Sequence, residues 1–332
     1  MRLTTPILEN RTELENTFVN TQTMVIVGAG YTGMELARQA IEADFEVIGT
    51  TRDPEKAKRL EAMGVTPILW DVNDELAAVE AYLTDQAQVV YSLPTLFKSY
   101  EAGGAQARHV APVRRLVEAC QDGGVRRFIY LSSTSVYGDH SGEWVDESTD
   151  LWPNSSYGKM RADIEAFLMG CDVDFPITIA RLGGIYGPGR TLADFMRKGR
   201  YTLIDGGKKV TNRIHVHDIA RAILTVVEKG PKEHRIFNFT DGHPQPARDV
   251  VEFVCEQTSL EWPPEETLEE YARRTEDPNR LARRTNAIRV LNERLRRELD
   301  FELIYPDVFS GYQAILQQED DSAEETTAAP PA

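Results

Sequence analysis

The sequence is poor in cysteine, with Cys120, Cys171 and Cys255 the only three in 332 residues. They are far apart, odd in number and without metal-type spacing. That excludes a disulfide framework and a cysteine-built metal centre, and reads as reduced thiols of a cytoplasmic protein. Long hydrophobic runs are missing too. No segment approaches the roughly 18 apolar residues of a membrane span. Residues 1–23 carry Glu9, Glu13 and Glu15 and no apolar stretch of the secretory type. Positive charge is scarce: 37 basic against 53 acidic side chains leave a net charge of −16. Such a surface repels phosphate backbones and argues against general nucleic-acid binding. There is no internal repeat. What remains, 41% apolar and 27% charged residues, is the composition of a soluble globular chain able to bury a substantial core.

Short apolar runs at Met24–Val27, Phe45–Gly49, Thr66–Trp70, Gln88–Leu93, Arg127–Ser132 and Ile177–Leu182 read as buried strands. Between them, Gly33–Ala43, Pro54–Met63, Glu75–Leu83, Val110–Cys120 and Tyr157–Met169 read as helices, with Asp53 and Pro54 as a start and Gly123–Gly124 as a stop. Strict alternation predicts an α/β fold: a doubly wound parallel sheet of Rossmann type, followed by a smaller mixed α/β substrate region. The expected division is an N-terminal extension (1–23), a dinucleotide-binding domain (24–182), a partly interleaved substrate-binding region (183–317) and a disordered acidic tail (318–332). The charged stretch Glu265–Arg297 reads as exposed helices.

Gly28, Gly30 and Gly33 form G-x-G-x-x-G directly after the first strand and before the first helix. The three glycines would permit a tight turn, the approach of backbone to a pyrophosphate, and close helix–strand packing; Tyr31 and Thr32 sit on the same turn. The uncapped helix start would offer N–H groups to the phosphates. In this strand–turn–helix setting the motif predicts a dinucleotide site. The end of the second strand has no acid for a ribose hydroxyl. It has Thr51 and Arg52 instead, which favours NADP with NAD as the alternative; Arg52 as a solvated charge beside Asp53 is the competing reading. Asp71 and Val72 are placed to meet an adenine. Leu93 and Pro94, after the fourth strand, are placed to wall a nicotinamide pocket.

Four further segments, in order, resemble the extended short-chain dehydrogenase/reductase family, which includes nucleotide-sugar epimerases and dehydratases. They are VRRFIYLSSTSVYG (Val125–Gly138), Glu147–Glu165, ARLGGIYGPGR (Ala180–Arg190) and TNRIHVHDIA (Thr211–Ala220). The resemblance covers about Met24 to Tyr312. It departs at the glycine turn, where extended members usually carry G-x-x-G-x-x-G, and so suggests an atypical branch.

The resemblance implies hydride transfer at a carbon bearing a hydroxyl or carbonyl, on a sugar nucleotide or similar small molecule. It implies Tyr157 as the proton-transferring phenol and Ser133 as the group orienting the reacting oxygen. The family's lysine, four residues after the tyrosine, is replaced here by Arg161. Positions i and i+4 share a helix face, so Arg161 would still set a cation beneath Tyr157, but it cannot relay a proton. Arg190, Arg213 and His215 become candidate substrate contacts. The competing reading for the two arginines is surface or ion-pair arginine. His109 would cap a backbone irregularity or lie plainly at the surface, and Asp218 would cap the helix Ile219–Val227. Ser135, where dehydratases carry an acid, disfavours dehydration. The family also implies a homodimer through Val110–Cys120 and Tyr157–Met169. Two non-enzymatic alternatives stand beside this reading. One is a cofactor-binding sensor of the same fold, favoured by Arg161; the other is an interaction protein using the charged helices and tail.

Overall fold

A computed structural model of the chain describes residues 22–94 and 100–328, with side chains through Glu319. The proposed N-terminal extension, apart from Gln22 and Thr23, lies outside the described residues, as do the last four residues of the tail.

Seven strands form one sheet: β1 (Thr23–Val27), β2 (Glu46–Thr51), β3 (Thr66–Leu69), β4 (Ala87–Tyr91), β5 (Arg127–Ser133), β6 (Ile177–Leu182) and β7 (Arg235–Phe239). Their spatial order is β7-β6-β5-β4-β1-β2-β3, every pairing parallel. All residues of β1, β4 and β6 are buried, which is why these segments are apolar without alternation: helices cover both faces. One face packs α1 (Tyr31–Glu42) and α5 (Val216–Lys229) over Met24, Ile26, Ile129 and Phe237. The other packs α3 (Ala111–Gly123) and α4 (Ser156–Met169) over Val25, Val89, Phe128 and Ile177. Strand order reverses between β1 and β4, so a crevice opens beyond their carboxyl ends.

The local signals act as anticipated in several places. Asp53 caps α2 (Pro54–Ala62) by accepting the N–H groups of Glu55 and Lys56. Gly124, at φ +68°, closes α3 in the left-handed conformation. Two expectations change. The helix anticipated over Glu75–Leu83 shrinks to one turn, Ala77–Glu80, because the Trp70 indole N–H takes the Glu75 carbonyl. The tail anticipated as disordered from residue 318 instead continues a helix. Val308, Tyr312 and Ile315 anchor α8 (Val308–Ala328) on a third core with α6 (Ala247–Thr258). The Gln-, Glu- and Ala-rich residues that follow are good helix formers and carry it on.

The charged stretch is helical, but its helices have buried inner faces. Tyr271, Ala282, Leu295 and Leu299 all pack inward, and α7 (Pro278–Thr285) lies against the sheet's carboxyl end. Among the described residues no helix is long and apolar enough to cross a membrane, and no cluster of acids, histidines and cysteines has the make-up of a metal site. Cys120 is fully buried and the other two cysteines are partly so; all three are free thiols.

Candidate active site

The glycine turn is built as a cradle. Gly28 stands at φ +94°, a conformation costly for any side chain, and its N–H donates to the Thr50 hydroxyl at 2.8 Å. Leu93 packs so closely over it that a Cβ on Gly28 would lie 2.6 Å from the Leu93 side chain. A Cβ on Gly33 would meet the Gly28 carbonyl and Ile26 at 3.0 Å, so this glycine lets α1 lie on β1. A Cβ on Gly30, in contrast, would meet only the Gly28 carbonyl oxygen, in ordinary contact at 4.0 Å. α1 has no side-chain cap at its N-terminus. Its first N–H groups and the positive end of its dipole therefore face the crevice, a donor set that fits a pyrophosphate. Thr32 and Thr51 are buried beside the turn, and the Thr51 hydroxyl takes the Asp53 N–H.

At the far end of this cradle Arg52 is paired, but not with Asp53. Its guanidinium reaches the Asp71 carboxylate at 3.0 Å, bridging the ends of β2 and β3. The Asp71 carboxyl lies below its ordinary range, held there first by the Asn73 backbone N–H and then by Arg52. Val72 is buried next to Trp70 and Val79, so it forms the floor beneath this region. Pro94 is exposed, and residues 95–99 lie outside the described residues.

Beyond the carboxyl ends of β5 and β6 lies a cleft of about 330 Å3. Ser133, Thr134 and Ser135 form one side, and Gly183 and Gly184 the floor. Lys209, Asn212, Arg213, Arg283, Asn286 and Ile288 close it. Ser133 ends β5 and caps the next turn by accepting the Ser135 N–H at 3.1 Å. α4 starts directly behind: a Cβ on Gly158 would stand 2.6 Å from the Ser135 carbonyl, so only glycine lets the helix come this close. That contact brings the neighbouring Tyr157, half-buried at the second position of α4, beside the serine turn. The Tyr157 N–H donates to Asn279 of α7 at 3.3 Å, and its phenol has no hydrogen-bond partner among the described residues. α7 thus touches Tyr157 at its first turn and lines the cleft with Arg283 near its end. Asn286 and Asn154 exchange amide hydrogen bonds, which ties the end of α7 to the approach to α4.

Comparison with known proteins gives the family and the fold. Residues 24–239 match the model of the NAD-dependent epimerase/dehydratase family. The chain belongs to this family. It is 33% identical to protein YeeZ of Escherichia coli strain K12 over 68% of this chain and 80% of that protein. Its fold is similar to that of a functionally unknown conserved protein from Silicibacter pomeroyi, with TM-score 0.74, 28% identity, and coverage of 90% of this chain and 100% of that one. It also resembles MoeE5 in complex with UDP-glucose and NAD, with TM-score 0.71, 20% identity, and 91% and 99% coverage; that likeness bears on the fold.

Within the family frame, several candidate residues stand apart from the cleft. The charge of Arg161 is felt by the buried Tyr130 hydroxyl on β5. Arg190 lies over the Tyr31 ring, 5.3 Å from its centroid, at the glycine turn rather than in the serine cleft. The Tyr31 hydroxyl donates to the Pro188 carbonyl at 3.1 Å, and burial pushes its phenol up to about 12. Arg213 does line the cleft, its Nε donating to the Thr211 hydroxyl. His215 does not. It is 3% exposed, packs between Tyr186 and Tyr305, and spends Nδ1 on the His217 N–H as the cap of α5. Burial lowers its imidazole to about 4, so it stays neutral.

Asp218, expected as a cap, is instead buried within the first turn of α5, where its carboxylate accepts the N–H groups of Ile304 and Tyr305. His109 is neither at the surface nor a backbone cap: it is buried and pairs with Asp163 of α4 at 3.1 Å. Lys209, Asn212, Asn279, Arg283 and Asn286 escaped the sequence reading. The Asp277–Pro278 helix start was a visible signal for α7. Nothing local marked which of its faces would meet the cleft.

Proposed function

We propose that the protein is an NAD(P)-dependent oxidoreductase or epimerase acting on a hydroxyl or carbonyl carbon of a sugar nucleotide or similar small molecule, with NADP the favoured cofactor. The observation that carries this reading is the convergence on α7. One helix holds the Tyr157 backbone through Asn279 and walls the Ser133 cleft through Arg283, at the carboxyl end of the sheet. In this reading Gly28, Gly30, Gly33 and the start of α1 hold the pyrophosphate, with Tyr31 and Thr32 alongside. Leu93 and Pro94 flank the nicotinamide, which when bound supplies a hydride acceptor or donor. Ser133 donates to or accepts from the reacting oxygen and fixes its direction, and Tyr157 moves its proton. Arg213 binds the substrate.

Turnover across a panel of nucleotide sugars tests the reaction. Tyr157→Phe is expected to lower it about 10²- to 10⁴-fold with the circular dichroism spectrum unchanged. Equal background turnover by both proteins would overturn it. Native mass spectrometry of the purified chain reads which dinucleotide travels with it. Arg52 supports NADP because its pairing with Asp71 stands at the end of β2 and is exposed, free to exchange a carboxylate for a 2′-phosphate. Arg52→Gln is therefore expected to weaken NADPH binding about tenfold or more and to leave NADH unchanged.

A second reading, a cofactor-binding sensor without catalysis, is favoured by one observation. Arg161 replaces the family's lysine, and its charge is felt at Tyr130. Tight dinucleotide binding with no turnover in any member of the panel would select it.

A further inference from the structure

Acids outnumber bases in this chain, and several described arginines find a carboxylate. Arg38, Arg52, Arg181, Arg221, Arg235 and Arg294 are all in ion pairs. What sets the cleft apart is that three cations meet in it. Lys209, Arg213 and Arg283 line it, and none of them forms an ion pair among the described residues. Arg284 stands behind them, over the rings of Tyr201 and Tyr271, and is likewise unpaired among those residues. The Lys209 ammonium donates to the Arg283 carbonyl, which fixes it in the wall but leaves its charge uncompensated. Burial and the nearby Arg284 and Arg283 push it down to about 8, against a weaker pull from Asp139. The Arg213 charge is felt by the buried Asp241, whose carboxyl burial pushes up to about 7, but the two side chains form no ion pair.

Like charges gathered at one small cleft repel each other, and a ligand of opposite sign relieves that repulsion. The position of the cluster matters as much as its sign. These cations share the cleft with Ser133, Thr134 and Ser135, where the reacting oxygen is held in the function proposed above, and this inference rests on that reading. We infer that the substrate carries an anionic group, a carboxylate or a phosphate, next to the carbon that reacts, and that Lys209 and Arg283 select for it. Arg283 offers a planar fork suited to two oxygens, and Lys209 a point charge.

The test compares UDP-glucose with UDP-glucuronate, which differ by one carboxylate on the sugar, in calorimetric titrations of the full chain with cofactor present. UDP-glucuronate is expected to bind at least tenfold tighter. Lys209→Met and Arg283→Gln should each erase most of that preference, weakening UDP-glucuronate several-fold more than UDP-glucose. Equal affinities, or variants that weaken both ligands alike, would overturn the inference and assign the cations to the diphosphate. Unfolding midpoints of both variants control for misfolding.

If neither nucleotide sugar binds, the sugar-nucleotide reading falls, and the anion site is decided separately. Glucuronate, glucose 6-phosphate and glucose are then compared by thermal shift. Stabilisation of the wild type by one of the two anions, absent in Lys209→Met, keeps the inference and says whether carboxylate or phosphate is preferred. Indistinguishable shifts for all three sink it.

Discussion

Two clusters of charge flank the carboxyl end of β6, and they are built in opposite ways. Behind the sheet's end, Arg181 closes its fork on Glu165 at 2.8 and 3.0 Å, and both side chains are almost fully buried. The other Glu165 oxygen takes the Ser132 hydroxyl at 2.5 Å. The remaining arm of Arg181 reaches the Tyr137 phenol, which donates in turn to Asn238 of β7. Every polar atom named in that chain has a partner. In front, Lys209, Arg213 and Arg283 form no ion pair among the described residues. The lesson is that pairing separates architecture from binding. A buried charge that is fully answered fixes the positions of strands, whereas one left unanswered in a cleft is available to something that arrives.

The contrast can be broken by substitution. Glu165→Gln leaves Arg181 buried beside a neutral amide and is expected to cost about 3–5 kcal/mol in denaturant unfolding. A loss under about 1 kcal/mol would show that water reaches the network and that the two clusters do not differ in kind. Asp241 lies between the two extremes. It is buried, with one oxygen accepting the His243 N–H and the other unpartnered among the described residues. Its folded-state carboxyl is raised to about 7 by burial. Ionising it therefore costs stability, and the loss develops as pH climbs from about 4 to about 7. Asp241→Asn should be the more stable protein by about 1–3 kcal/mol near pH 8, the gap closing towards pH 4, as read from urea midpoints across that range. The smallest effect belongs to the cleft: Arg283→Gln is expected to shift stability by less than about 0.5 kcal/mol. Its side chain makes no ion pair or hydrogen bond among the described residues, and Lys209 binds its carbonyl rather than its guanidinium.

Much of the framework was legible in the chain because its causes are local. The apolar runs of β1, β4 and β6 record burial on both faces, and the three glycines each answer a backbone need visible at the turn itself. Ser133 was legible only through the family resemblance; the strand anticipated over Arg127–Ser132 runs one residue further and ends on it. The cleft's other wall was not. Arg283 and Asn279 lie in a stretch so charged that it reads as solvated, and their direction is set by the packing of Ala282 and by Asn212, which holds Ile288 and Val290 from the opposite side. His215 illustrates the reverse case. Strand alternation puts it on the same side as Arg213, but the strand ends there, and the imidazole turns inward to start the next helix.

Tyr31 opens the helix that follows the glycine turn, yet its hydroxyl is fastened to Pro188 and its ring is roofed by Arg190, both from a segment more than 150 positions later in the chain. The 187–190 loop and the first turn of α1 are thereby geared to one another. A shift of that loop as a substrate settles would be transmitted to the N–H groups facing the phosphates. A single hydrogen bond of about 1 kcal/mol makes this a soft gear, one that slips rather than locks.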